Sequence, residues 1–166
     1  SGSPTAVPTI PVLARDWGVW LDTAASGLGT TRLTRVLSAK VAFEDMIAPL
    51  WTVDDSLDSW STHVETAPKC TVELTMQAES TAMALLPVMQ AGSKRYLRIQ
   101  NTSGTLAGSS SGYYSLTFDV CGEISEVGDF GDDQDVYTIS WTFEATHDSA
   151  WGKPFTIAVV NAQSAL

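Results

Sequence analysis

The sequence of 166 residues has no long apolar run and little that marks a secreted or membrane protein. No window approaches the roughly 18 consecutive apolar residues that a membrane helix needs, so no membrane partner is expected. The opening stretch, SGSPTAVPTIP, has neither a basic nor a long apolar region and indicates no signal peptide. Because 44% of the residues are hydrophobic and only 17% are charged, we expect one globular domain rather than a disordered chain.

Cysteine and histidine are too scarce for most catalytic or metal sites. The two cysteines, Cys70 and Cys121, lack the close spacing of a zinc site and are expected to be small buried side chains. His147 is followed by Asp148 and Ser149, but adjacent residues cannot converge as a catalytic triad does. The sequence also has no Gly-x-Ser-x-Gly elbow and no His-Glu-x-x-His pair. We therefore predict no catalytic residues, no enzyme activity and no cofactor.

Basic residues are absent from Ile99 to Gly152, where every formal charge is negative. In the whole chain nine Lys and Arg are outnumbered by nineteen Asp and Glu, which gives a net charge of −10. Proteins that grip DNA neutralise its phosphates with Lys and Arg, so specific DNA binding is not expected. A surface that DNA passes without adhering is compatible with this charge.

The densest acidic run extends from Glu123 to Asp135 and contains six carboxylates. If the run is aligned as a calcium loop that starts at Asp129, its third position is Gly131 instead of an acid, so the loop pattern fails. We predict that the run binds no metal and connects two strands as a solvated acidic surface. The candidate residues of that surface are Asp129, Asp132, Asp133 and Asp135.

Alternating apolar and polar side chains predict an antiparallel sheet with one wet face. The clearest case lies between residues 135 and 145, where Tyr137, Ile139, Trp141 and Phe143 are predicted to share a buried face. Further strands are predicted in the segments GVWLD, TRLTRVLSAKVAFE, TVELTMQA, RYLRIQ, YSLTFDV and PFTIAVV.

One segment breaks this period and predicts a short helix over residues 80–91. Ser80 is its expected cap and Gly92 its expected end. Pro87 lies inside the segment, where it removes a backbone hydrogen bond, so we expect a kink or a break near it.

Two other segments are predicted to be loops. Residues 101–112, rich in Gly and Ser, read as a flexible connection between strands. Residues 45–69 form a longer segment without a sustained period that carries Trp51, Leu57 and Trp60. Long irregular segments inside a domain are often functional, so these three residues are candidate contacts with another chain. Folding back over the domain's own core is an equal alternative.

The order of these elements resembles that of the tail tube (major tail) proteins of long-tailed, siphovirus-type bacteriophages. The resemblance covers the chain from Trp17 onward and ends in a strand, the turn THDSAWGKP and a last apolar strand that closes at Asn161. It implies a flexible segment or linker at residues 1–16 and a single tail-tube-like β domain at residues 17–166. Family members often have further sequence ahead, so this chain looks like a carboxy-terminal domain or a truncated form.

The resemblance implies a mainly β fold, an antiparallel β-sandwich or half-open barrel with one short flanking helix. It also implies that six copies form a ring and that stacked rings form a hollow tube through which DNA leaves the capsid. The partners would be further copies of the chain and other tail proteins, with DNA passing without specific binding. The chain would reside in the virion after synthesis in the host bacterial cytoplasm. The four candidate aspartates, together with Asp119 and Glu144, would lie on or near surfaces that the DNA must not grip.

Two alternatives share much of this sequence evidence. A monomeric extracellular β-sandwich could bind carbohydrate or protein on exposed tryptophans, of which the chain has six in total to draw on. Secretion-system tube proteins have the same architecture as phage tail tubes. The internal helix, the long aromatic loop and the lack of a secretion signal favour the phage tail tube over the binding module.

Overall fold

The protein is mainly β, as the sequence predicts, and the strand pairs that the structure describes are all antiparallel. The computed structural model describes residues 11–44, 47–53, 56, 58–107 and 112–161. The strands are β1 Trp17–Asp22, β2 Arg32–Leu33, β3 Val36–Glu44, β4 Ile47–Leu50, β5 Thr62–Glu65, β6 Lys69–Gln77, β7 Arg95–Leu106, β8 Tyr113–Val127, β9 Gly131–Asp133, β10 Val136–Ala145 and β11 Phe155–Val160. The two short helices are α1 Ser80–Met83 and α2 Leu86–Gln90.

Strand β8 joins two halves of one large sheet, ordered β2-β1-β7-β8-β10-β6-β3. Its first half pairs with β7 on one side and β11 on the other, and its second half pairs with β10. The change of partner falls at Gly122, where a Cβ atom would overlap the carbonyl oxygen of Glu144. Only glycine allows the two strands to approach so closely at this point.

The apolar faces of the two halves of the sheet pack against each other and form the core. The rings of Phe43 on β3 and Phe155 on β11 meet across this interface, with centroids 5.1 Å apart. The most completely buried large side chains are Trp141, Phe143, Leu74, Met76, Leu97, Val72 and Val120. The sheet is open rather than closed into a barrel, because β3 and β2 end its order without pairing to each other.

The alternation in β10 predicts three of its four core residues correctly. Ile139, Trp141 and Phe143 are buried, but Tyr137 is 72% exposed, so its assignment to the core is wrong. Tyr137 pairs with Asp132 in the short β9–β10 hairpin. At this end of the strand no opposing layer covers its side chain, and the period alone cannot reveal where the covering layer stops.

The predicted helix is broken in two, as expected near Pro87. Pro87 lies in the first turn of α2, where its missing N–H needs no acceptor. Gly92 follows α2 with a φ of +55°, which confirms it as the terminating residue. The expected cap at Ser80 is wrong, because Glu79 occupies that position and makes no side-chain capping bond. The pair of helices packs onto the core through Ala82 and Leu85.

Two other predictions place the ends of strands incorrectly. The predicted strand TRLTRVLSAKVAFE is split, because Arg35 adopts a φ of +59° and separates β2, which pairs with β1, from β3, which pairs with β6. The segment predicted as a loop at residues 101–112 continues β7 as far as Leu106. There Thr102 pairs with Ser115 and Leu106 with Tyr113, with an irregularity of the register between them, and residues 108–111 of the predicted loop lie outside the described residues.

The turn after β1 is organised by the buried carboxylate of Asp22. Its oxygens accept backbone N–H bonds from Gly29, Thr30 and Thr31 at 3.0, 3.3 and 2.9 Å. Desolvation raises the pKa of Asp22, but the bonds from Thr31, Thr30 and Gly29 outweigh it and hold the pKa below its ordinary value of 3.8. The turn therefore depends on an ionised carboxylate.

Residues 1–10 of the predicted N-terminal segment 1–16 lie outside the described residues, and Ala14–Asp16 form a single 3-10 turn. In the part of the chain that the structure describes, no helix is long and apolar enough to cross a membrane.

Candidate functional site

The outer face of the half-sheet β3-β6-β10-β8 is polar and strongly acidic. Antiparallel partners share a face, so the pairings Glu73 with Thr142, Thr142 with Glu126, and Glu144 with Glu123 place four glutamates on the side away from the core. We call Glu73, Glu123, Glu126 and Glu144 the acidic face. Thr75 and Ser140 lie beside them and share a hydrogen bond of 3.2 Å.

The lysines described on this surface lie on strands β3 and β6. Lys40 on β3 pairs with Glu73, and Lys69 on β6 pairs with Glu44. Strands β8 and β10 contain no Lys or Arg. Glu123 and Glu144 are thus direct neighbours of like charge, an arrangement that costs stability. The acidic face is therefore not explained by the stability of the folded chain.

The four candidate aspartates lie elsewhere, at the tip of the β9–β10 hairpin and just before it, and all four are exposed. Gln134 and Asp135 both have positive φ, as a tight two-residue hairpin turn requires. The backbone N–H of Asp135 donates to the Asp132 carboxylate at 3.1 Å. Among the described residues, no three His, Cys, Asp or Glu side chains form a group that could hold a metal ion.

Asp119, predicted to share an acidic surface with Glu144, lies on β8 in the other half of the sheet. Its two carboxylate oxygens accept bonds from Arg98 at 2.7 and 2.8 Å, and its side chain is largely buried. Asp119 is therefore not part of the acidic face, because Arg98 neutralises its charge.

The segment predicted as an irregular loop at residues 45–69 contains a two-stranded ribbon. Strands β4 and β5 pair from Ile47 with Glu65 to Leu50 with Thr62, apart from the main sheet. We call residues 47–65 the arm. All side chains of its two strands are exposed, and so are Trp51 (67%) and Trp60 (48%). Leu57, the third candidate contact, lies outside the described residues.

Two long strands leave backbone groups free at the borders of the sheet. Among the residues that the structure describes, β11 pairs only with β8, and β3 pairs only with β6. Ile157, Val159 and Val160 on β11 are exposed, and the strand has no charge or proline to prevent pairing with another strand. An apolar edge of this kind is suited to contact with a second chain.

Residues considered for catalysis are not arranged for it. Cys70 and Cys121 are buried, as predicted, and burial raises the pKa of the Cys70 thiol to about 11. His147 is exposed, and the carboxylate of Asp148 accepts the backbone N–H of Trp151 at 2.7 Å. Asp148 therefore fixes the turn between β10 and β11.

No protein-family profile and no curated protein matches the sequence. Solved structures do match the fold. One is a chain of the SPP1 tail tube, solved by solid-state NMR and cryo-electron microscopy, with a TM-score of 0.57 and 12% sequence identity. The match covers 81% of this chain and 75% of that one. The chain has the tail-tube fold.

A second structure extends the likeness to a whole subunit. It is a chain from the tail of an empty GTA particle solved with C6 symmetry, with a TM-score of 0.50 and 8% identity. The match covers 89% of this chain and 98% of that chain. The acidic face, the arm and the free strand edges all belong to this one fold. Of these features, the sequence indicated the arm as a candidate contact, and part of the acidic face through the acidic run that begins at Glu123 and through Glu144.

Proposed function

We propose that the chain is a structural subunit of a phage tail tube, in which six copies form a ring and stacked rings form a hollow tube that conducts DNA. The observation that carries the proposal is the likeness to the SPP1 tail tube chain over 81% of this chain. The C6 symmetry of the GTA tail supports a ring of six. The chain would act as a structural component of the virion, made in the host cytoplasm, and not as an enzyme.

The free edges of β3 and β11 provide a means of closing a ring. They are different strands at different places, so a contact between them is heterologous and propagates from copy to copy until the rotation closes. Backbone pairing at these edges would satisfy exposed N–H and C=O groups and cover the apolar side chains of β11. The arm, with Trp51 and Trp60, would contribute contacts between neighbouring copies or stacked rings.

The acidic face is the surface we assign to the lumen. DNA in a conduit must slide, and Lys or Arg contacts to phosphate would hold it back. Strands β8 and β10 present glutamates without a cation, which explains why a like-charge pair is tolerated. Asp129, Asp132, Asp133 and Asp135 would extend the negative surface at the hairpin tip.

Concentrating the purified chain and imaging it by negative-stain electron microscopy tests the proposal. Hollow tubes of uniform diameter, with sedimentation velocity showing a matching loss of monomer, are the expected result. A chain that stays monomeric at every concentration and salt level would overturn it. In that case titration with oligosaccharides, followed by tryptophan fluorescence, would test the binding-module alternative.

A further inference from the structure

The outer face of the other half-sheet, β2-β1-β7-β8-β11, carries a tryptophan that lies against the backbone. Trp20 on β1 alternates with the core residues Val19 and Leu21, so its side chain points away from the core. A Cβ atom at Gly18 would overlap Cη2 of Trp20, so the six-membered ring of the indole occupies the space above this glycine. Glycine at position 18 therefore lets the indole rest on its own strand, where it is half-buried.

The polar side chains beside this ring are held in place by one another. Arg98 on β7 pairs with Trp20, and its charge is neutralised by the two bonds to Asp119. In the next row of the sheet, the side-chain amide of Gln100 donates to the hydroxyl of Thr117 at 2.9 Å. The side-chain oxygen of Gln100 is left as an acceptor for a ligand hydroxyl. Trp20 therefore lies next to fixed polar groups that suit a hydroxylated ligand.

A cation without an ion-pair partner stands at the edge of the ring. Arg32 on β2 pairs with Trp20, and its guanidinium carbon lies 5.8 Å from the ring centre. Atoms in stacked contact are about 3.5–4.0 Å apart, so Arg32 flanks the indole without covering it. Arg32 is exposed and forms no ion pair within the part of the chain that the structure describes. A complementary ligand carries a negative group beside an apolar surface.

Two turns border this face at one end of the sheet. The turn between β1 and β2 reaches Arg98 through the carbonyl oxygen of Leu28 at 3.3 Å. The turn between β10 and β11 places Trp151 against Tyr96, with ring centres 6.0 Å apart. Tyr96 is buried beside them, whereas the next row, which contains Trp20, is only partly covered. The turns thus form a wall on one side of the tryptophan.

The segment ahead of β1 runs along the opposite side of the sheet. The carbonyl oxygen of Leu13 accepts a hydrogen bond from the side chain of Asn101 at 3.2 Å. Asn101 pairs with Trp17 and alternates with Gln100, so its side chain lies on the core side. The described residues ahead of β1 therefore leave the outer face of Trp20 open.

We propose that this face binds a saccharide that contains one acidic sugar, with a pyranose ring on Trp20, its carboxylate at Arg32 and a hydroxyl at Gln100. The C–H groups of a pyranose suit the negative face of an indole, and a carboxylate forms a charge-assisted bond with a guanidinium. A nucleic acid strand carries a phosphate for every base. The single unpaired cation beside Trp20 therefore matches one carboxylate better than a row of phosphates.

This inference adds a ligand to the proposed structural role and does not depend on assembly, because all of the residues that carry it belong to one subunit. The two halves of the sheet pack through their apolar faces, so Trp20 and the acidic face lie on opposite sides of the molecule. In a tube with the acidic face inward, Trp20 would lie on the outside, where a saccharide can reach it.

Nuclear magnetic resonance of the indole N–H groups tests the proposal on the purified chain, below the concentration at which tubes form. The chain has six tryptophans, and Trp20→Phe identifies the signal of Trp20. The probes are 3′-sialyllactose and aldotetraouronic acid, each with one acidic sugar, and their neutral counterparts lactose and xylotriose. At least one acidic probe should shift the Trp20 signal to saturation. Its neutral counterpart should bind about two- to fivefold more weakly, since it lacks the charge contact at an exposed site.

Three variants separate a binding site from a structural contact. Trp20→Ala should weaken binding at least about fivefold. Gly18→Ala keeps the indole but fills the space on which it rests, and should weaken binding by a similar factor. Arg32→Gln should abolish the preference for the acidic over the neutral sugar and leave the affinity for the neutral sugar unchanged. Trp51→Ala, in the arm, is the matched control and should bind like the unmodified chain. The dispersion of the remaining amide signals shows that each variant is folded.

A Trp20 signal that stays unshifted by both acidic probes at about 10 mM, a concentration that detects millimolar binding, would overturn the proposal. Shifts that persist in Trp20→Ala and disappear in Trp51→Ala would also overturn it, because the saccharide would then bind the arm. Tighter binding of a thymidine tetranucleotide than of either acidic probe would make nucleic acid the ligand instead. None of these results bears on tube formation, which is measured separately on the unmodified chain.

Discussion

Glu123 on β8 and Glu144 on β10 are directly paired on adjacent strands of the sheet, and neither strand contains a Lys or Arg. Cβ atoms of such partners lie about 4.5–5.5 Å apart, so the two carboxylates repel each other. The pair shows that this face of the sheet is not optimised for the stability of a single subunit. The proposed passage for DNA, whose wall would have to repel phosphate, would account for it.

Neutralising one member of this pair should stabilise the isolated chain. We expect Glu144→Gln to raise the free energy of unfolding by about 0.2–1 kcal/mol, with a smaller gain at high salt because the repulsion is screened. Glu126→Gln is the control, because Glu126 pairs with the neutral Thr142. Urea titrations at two salt concentrations measure both variants. Equal effects of the two substitutions would show that the repulsion between Glu123 and Glu144 is negligible.

Trp141 should be the most sensitive residue of the core. It is completely buried, and no described residue accepts a hydrogen bond from its Nε1. Trp141→Ala should lower the free energy of unfolding by about 3–5 kcal/mol. Trp141→Phe should cost less, because it keeps an aromatic ring and removes the unsatisfied donor. Tyr137→Ala, on the same strand but exposed, should change stability by less than about 0.5 kcal/mol. A loss below about 1 kcal/mol for Trp141→Ala, measured by denaturant titration, would contradict this packing.

Asp22 should make the stability of the fold depend on acid pH. Its pKa is lowered in the folded state, so its contribution is complete above the ordinary value of 3.8 and is lost as the pH falls through the folded value. Asp22→Asn should therefore lower the free energy of unfolding by about 1.5–3 kcal/mol at pH 7, the range for hydrogen bonds to a charged group. The difference in the free energy of unfolding between the unmodified protein and Asp22→Asn should become smaller below about pH 4. Urea denaturation midpoints of both proteins between pH 2 and 7 measure this difference. A difference that stays constant over that range would show that the charge of Asp22 does not stabilise the turn.

Positive charge on the acidic face should slow DNA. In particles whose tails contain this chain, replacing Glu123, Glu126 and Glu144 by Lys should permit assembly and retard ejection, most strongly at low salt. Lysines at Asp129, Asp132, Asp133 and Asp135 should retard it as well. The matching Gln variants add no cation and should eject DNA at nearly the normal rate. Ejection followed by dye fluorescence provides the measurement, and normal rates for the Lys variants at every ionic strength would refute a DNA-facing role.

The sequence predicts the strands best where one face is buried and the other is wet. Val72, Leu74 and Met76 on β6 follow this rule along the whole strand, whereas Tyr137 breaks it because its end of β10 extends past the core. The split between β2 and β3 depends on the left-handed conformation of Arg35, which no pattern of apolar residues reveals.

The surfaces are harder to predict than the strands, because they arise from pairing between distant segments. Glu73, Glu126 and Glu144 belong to three strands and become one surface only through the register of β6, β10 and β8. The sequence marks the arm as a candidate contact with another chain, because a long segment without a period that carries tryptophans is often functional, and this role stays a prediction.

The central claim is that this chain builds a hollow tube with its acidic face inward. Helical reconstruction by cryo-electron microscopy of tubes assembled from the purified chain tests it most directly. The account predicts sixfold rings around an open channel, with Glu73, Glu123, Glu126 and Glu144 at the channel wall. Tubes in which these glutamates lie on the outer surface or inside a subunit contact, or a chain that forms no tube at all, would contradict it.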